Sequence, residues 1–175
     1  MHIRARRAAL SGLLSALAVV FLMMGSLIPA ALYACPILAM LALLPLREEF
    51  GRPPALTAYA AVSLLAILLV PDKELAFLFV FFGWYPPLQP LLNRIRPRFL
   101  QVAVKLALAN GAVVLLYSLL LWVFQLESVT AELNGVGFWM IALLLLCANI
   151  LFILTDIVFH RVAFLWNHRI RKKAR

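Results

Sequence analysis

Residues 137–159 read GFWMIALLLLCANILFILTDIVF, a run in which Asp156 is the one charged side chain. An α-helix rises 1.5 Å per residue, so this run would be about 34 Å long, enough to cross the roughly 30 Å hydrocarbon core of a bilayer. A β-strand is excluded because the run is too long and because leucine and alanine favour helix. The run predicts a transmembrane helix.

Five further apolar runs precede it, and each ends at residues that break a helix or cannot lie in lipid. Prolines such as Pro29 and Pro71 fall at or near the proposed ends, where a missing amide costs least. The charged stretches 47–49 and 72–74 separate other runs. The sequence therefore predicts an all-α integral membrane protein, a single bundle of six transmembrane helices. The predicted spans are 8–28, 30–46, 54–70, 75–92, 101–124 and 137–159, followed by a basic cytoplasmic tail over 160–175.

Composition agrees with this fold class. Of the 175 residues 66% are hydrophobic, and the mean hydropathy is +1.02, whereas a soluble domain is roughly 45–50% apolar. The net charge of +9 lies in short clusters between apolar runs, which is typical of membrane flanks and argues against nucleic-acid binding. Cys35 and Cys147 lie inside apolar runs, and no metal site or cofactor is predicted.

The distribution of lysine and arginine predicts the orientation. With six spans, 14 of the 16 basic residues fall on one side of the membrane, Lys105 lies within the fifth span and Lys73 is alone on the other side. Basic residues are enriched on the cytoplasmic side. We therefore expect both termini to be cytoplasmic.

Two ionisable residues within the predicted spans should lie at the same depth. Lys105 and Asp156 are each about 19 residues from the outer end of their span, or roughly 29 Å along a helix. An ionisable group at membrane depth is costly and usually has a partner. The sequence predicts an intramembrane ion pair between Lys105 and Asp156.

A second polar group lies nearer the midplane. Pro86 and Pro87 should kink or unwind the fourth span, and an unwound backbone is tolerated at that depth when it is buried or faces a cavity. Aromatic and amide side chains accompany the kink, so a small-molecule site open to the outside is predicted. The alternative is that each amide merely bonds a neighbouring helix. The predicted substrate-binding residues are Trp84, Tyr85, Asn110, Tyr117 and Asn149.

The first span carries small residues at every fourth position: Ala8, Gly12 and Ala16. Such a face lets another helix approach closely, either within the bundle or in a partner subunit. The sequence has no nucleophile motif, zinc-protease motif or glycine-rich phosphate loop. We therefore expect no enzyme activity, and any pumping must be powered by another subunit.

The stretch 7–18, RAALSGLLSALA, together with the predicted topology, resembles the substrate-binding S components of bacterial energy-coupling factor (ECF) transporters. The resemblance implies six helices, docking of the first helix on a transmembrane coupling subunit with its ATPases, and a vitamin-like ligand bound under the outer loops. It also implies the bacterial cytoplasmic membrane as the location. The alternative is a non-catalytic membrane scaffold of a cell-envelope complex, similar to the rod-shape protein MreD in size and topology.

Overall fold

The computed structural model describes residues 2–28, 31–122 and 137–170, which form α-helices joined by short turns, one π-helical turn and no strand. Five helical stretches among these residues are long and apolar enough to cross a membrane. The prediction of an all-helical, multi-pass membrane protein is confirmed to that extent, while the sixth span and the orientation stay predictions. The helices are α1 (His2–Leu27), α2 (Ala34–Phe50), α3 (Arg52–Leu69), α4 (Lys73–Phe82), α5 (Tyr85–Leu92), α6 (Arg98–Trp122) and α7 (Phe138–Leu165), and the π-helical turn is Trp166–Ile170.

The boundaries of α2 differ from the predicted span of 30–46. The helix continues through Arg47, Glu48 and Glu49 to Phe50, beyond the predicted end of the apolar span at 46. Gly51 ends it instead, with a φ of +85°, a conformation that glycine adopts without strain. With 17 residues, α2 lies at the lower limit for a span and is not among the five long stretches.

The predicted fourth span of 75–92 is divided into α4 and α5 at Gly83 and Trp84. Pro86 and Pro87 have no amide hydrogen, so neither can donate to the carbonyl four residues earlier. An uninterrupted helix would therefore lack two consecutive hydrogen bonds. Starting a new helix at Tyr85 places both prolines in its first turn, where amides have no helical partner.

Two compact units make up the chain, Met1–Pro90 with Val158–Arg175 in the first and Leu91–Ile157 in the second. In the first unit α1, α2, α3 and α4 pack on one another. A Cβ atom built on Gly25 of α1 would lie 2.7 Å from the Cβ of Cys35 in α2, so only glycine allows this approach. Asp72 caps α4 by accepting the backbone amides of Glu74 and Leu75.

In the second unit, α6 buries one face, formed by Lys105, Ala109, Ala112, Leu116 and Leu120. The N-terminal part of α7 is different, because residues 139–148 are all exposed. Asn149 of α7 accepts a hydrogen bond from Asn110 of α6. An apolar helix with an exposed surface is compatible with lipid, since lipid tails are as apolar as leucine side chains.

Candidate functional site

The structure brings Lys105 and Asp156 together. The Nζ of Lys105 lies 2.7 Å from the Oδ2 of Asp156, with side-chain exposures of 7% and 23%. A pair this close, carried by two apolar helices, satisfies each charge locally. This contact joins α6 to α7.

Asn110 and Asn149 also meet, in a reciprocal amide pair. The Nδ2 of Asn110 donates to the Oδ1 of Asn149 at 2.9 Å, and the reverse bond is 3.2 Å. Each Nδ2 donates in addition to the carbonyl four residues earlier on its own helix, Leu106 at 2.9 Å and Leu145 at 2.8 Å. Both amino groups therefore use both hydrogens inside the protein, and a ligand would have to replace part of this arrangement.

The other predicted site residues are distributed over both units. Trp84 and Tyr85 belong to the first unit, with their rings edge-on at a centroid distance of 6.2 Å. Tyr85 is buried and lies 6.4 Å from the ring of Phe159. Tyr117 and Asn110 on α6 and Asn149 on α7 are half-buried and belong to the second unit. A single ligand site formed by all five residues stays a prediction.

The small-residue face of α1 is open. Ala8, Gly12 and Ala16 are all exposed, and a Cβ atom built on Gly12 would lie more than 4 Å from every described residue outside α1. The buried face of the same helix lies elsewhere, at Ala18 and Leu22. Whether this face packs within the bundle or against a partner subunit stays a prediction.

The structure contains a buried polar network at the end of α2 that the sequence did not predict. The guanidinium of Arg47 donates from Nη1 to the carbonyl of Pro86 and to the Oε1 of Gln89 at 3.2 Å. Its Nε donates to the Oε1 of Glu48 at 2.8 Å, and its side chain is only 6% exposed. Asn167, in the π-helical turn, donates to the other carboxylate oxygen of Glu48.

The position of Pro90 explains why Arg47 points inward. In a helix the carbonyl of Pro86 would accept the amide of residue 90, but Pro90 has none. Arg47 supplies the missing donor. The sequence did contain a signal for this network. Pro90 lies four residues after Pro86, so the carbonyl of Pro86 lacks its helical amide and needs another donor inside an apolar run.

Among the described residues, no group of three or more His, Cys, Asp or Glu side chains could hold a metal ion. Comparison with known proteins finds no family model, no curated protein and no solved structure that matches this chain. Functional assignment therefore depends on the geometry of the polar pairs, of the break between α4 and α5, and of the open face of α1.

Proposed function

We propose that this chain is the membrane-embedded, small-molecule-binding subunit of a bacterial uptake transporter of the ECF type, with both termini cytoplasmic. The observation that carries the proposal is the open face of α1, formed by Ala8, Gly12 and Ala16. In lipid, helices associate through close backbone approach, and small residues at every fourth position permit it. The occupant we propose for this face is a transmembrane helix of the coupling subunit.

The need for a partner also follows from missing chemistry. The sequence has no phosphate-binding loop, so this chain cannot itself couple ATP hydrolysis to transport. ATPases attached to the coupling subunit would supply the energy. The stretch Ala5–Leu27 is long and apolar enough to cross the membrane, so its open face can meet a partner helix within the bilayer.

The proposed ligand residues are Trp84, Tyr85, Asn110, Tyr117 and Asn149. The break between α4 and α5 supports a binding role for the first two, because irregular backbone at membrane depth is tolerated where it is buried or lines a cavity. Asn110 and Asn149 would exchange their mutual hydrogen bonds for bonds to the ligand.

A second candidate is a non-catalytic scaffold of a cell-envelope complex, which docks through α1 but binds no small molecule. The closed pair of Asn110 and Asn149 favours it, because neither amide needs a ligand to be satisfied. Both candidates require α1 docking, and they differ in the ligand.

Docking is tested by placing a large side chain on the open face. We expect Gly12→Leu to abolish co-purification of a transmembrane partner with its ATPases, identified by mass spectrometry. Gly111→Leu is the matched control, since Gly111 on α6 is also exposed and a Cβ there would meet nothing within 4 Å. A wild-type protein that purifies as a monomer, or equal loss of the partner in both variants, would contradict the proposal.

Ligand binding is tested with Asn110→Leu combined with Asn149→Leu. Removing both amides leaves no unpaired partner, so the fold should tolerate the change. Native mass spectrometry should show a small molecule on the wild-type protein and none on the variant, while the coupling subunit is retained in both. A retained partner with no small molecule on either protein would favour the scaffold.

A further inference from the structure

Three arginines lie within five residues where the turn between α5 and α6 leads into α6. Residues 94–98 read RIRPR, and Arg94, Arg96 and Arg98 are all exposed. This stretch joins two candidate spans, Lys73–Leu92 and Arg98–Trp122, so it lies where the chain leaves and re-enters the bilayer. The arginines are therefore at the level of the lipid headgroups.

These arginines have no carboxylate partner in the part of the second unit that the structure describes. Asp156 is the one acidic residue there, and it is paired with Lys105 at 2.7 Å. The polar side chains next to the turn bond each other, since Gln101 donates to Asn93 at 2.8 Å. Three positive charges this close repel one another unless an anion from outside the unit lies among them.

Exposed apolar side chains flank the arginines on both sides in sequence. Phe99 is 84% exposed, and Leu91, Leu100 and Val102 are exposed as well. A site for a soluble anion such as phosphate would gain nothing from such neighbours. A phospholipid would, because its acyl chains can cover these side chains while its phosphate meets the arginines.

We propose that Arg94, Arg96 and Arg98 form a headgroup site for an anionic phospholipid, with Phe99 and Leu91 against the acyl chains. Guanidinium groups donate paired hydrogen bonds to phosphate oxygens, which makes arginine better suited than lysine to this role. The site is independent of the proposed uptake function, and it gives the second unit a lipid anchor at the surface of the bilayer.

The test compares the wild-type protein with R94Q/R96Q/R98Q after reconstitution into phosphatidylcholine vesicles with and without phosphatidylglycerol. Native mass spectrometry after gentle detergent extraction counts the retained anionic lipids. Each basic residue near a membrane surface contributes about fivefold to the binding of anionic lipid, so the triple variant should bind phosphatidylglycerol about 100-fold more weakly. It should retain one anionic lipid fewer than the wild-type protein.

The control removes the same charge from scattered positions of the first unit, R7Q/R52Q/R161Q, and should retain lipid as the wild-type protein does. Equal loss in both variants would overturn the proposal in favour of diffuse charge. So would an unchanged lipid count in R94Q/R96Q/R98Q. Thermal stabilisation of the detergent-solubilised protein by inorganic phosphate alone, equal to that by phosphatidylglycerol, would overturn it in favour of a free-anion site.

Discussion

Arg47 stabilises the first unit because it replaces an amide that Pro90 removes, and this can be tested by changing both residues. Arg47→Met keeps much of the side-chain length but leaves the carbonyl of Pro86, the amide oxygen of Gln89 and the carboxylate of Glu48 without this donor. Pro90→Ala restores a backbone amide, which can bond the carbonyl of Pro86 because residues 85–92 are helical.

The magnitudes follow from burial. Removing one partner of a buried ion pair costs about 3–5 kcal/mol, and the side chains of Arg47 and Glu48 are 6% and 14% exposed. We expect Arg47→Met to lower the free energy of unfolding by about 3 kcal/mol. Interhelical hydrogen bonds in membranes contribute about 0.6 kcal/mol on average and about 1.7 at most. The bond from the charged guanidinium to the carbonyl of Pro86, which lacks its helical amide partner, should lie at the upper end of this range. Pro90→Ala should therefore reduce the loss of stability caused by Arg47→Met by about 1–2 kcal/mol.

The assay is a double-mutant cycle of equilibrium unfolding in mixed micelles, read by far-ultraviolet circular dichroism. The cycle cancels the helix propensity that alanine gains over proline and leaves only the coupling between the two positions. Pro45→Ala is the control background, since Pro45 is also inside a helix but its missing amide faces a different carbonyl. A coupling energy between positions 47 and 90 below about 0.5 kcal/mol would refute the idea that Arg47 replaces the missing amide of residue 90. An equal coupling between positions 47 and 45 would refute it as well.

Two further predictions concern pairs of helices. Asp156→Asn should lower the free energy of unfolding by about 1–3 kcal/mol, because Lys105 is left charged and buried. Adding Lys105→Met should recover part of this loss in the same unfolding assay, and an absence of recovery would count against the ion pair. Gly25→Ala should destabilise the packing of α1 on α2 by about 1–3 kcal/mol, since the new methyl would lie 2.7 Å from the Cβ of Cys35. Gly12→Ala, in open space, should leave the thermal midpoint unchanged or raise it slightly.

Counting residues from the outer ends of the apolar runs predicts the relative depth of their side chains. It puts Lys105 and Asp156 at one level, and in the structure their charged atoms are 2.7 Å apart. The same counting puts Asn110 and Asn149 at a second level, where their amides are paired. In a helix the rise per residue is constant, so sequence distance converts directly into depth. The break before Pro86 follows equally directly, from two consecutive missing amides.

Sequence reasoning fails where the outcome depends on which helices become neighbours. Charges at the end of an apolar run are normally solvated, and nothing in the local pattern of 47–49 says that Arg47 turns inward while Glu49 pairs with Arg6 at 3.2 Å. Arg47 turns inward where the carbonyl of Pro86 and the side chain of Gln89 are within reach. The end of α2 was misplaced for the same reason, since a helix can continue through charged residues when the structure provides their partners.

The polar residues inside the helices and those on the surface have different implications for function. Lys105, Asn110 and Arg47 all have hydrogen-bond or ion-pair partners within their own unit. The open face of α1 and the arginines of residues 94–98 are exposed instead. Substitutions on these two surfaces should therefore change association while sparing stability, whereas substitutions at the ion pairs of Lys105 and Arg47 should lower stability. This separation makes the surfaces the better place to look for what the protein does.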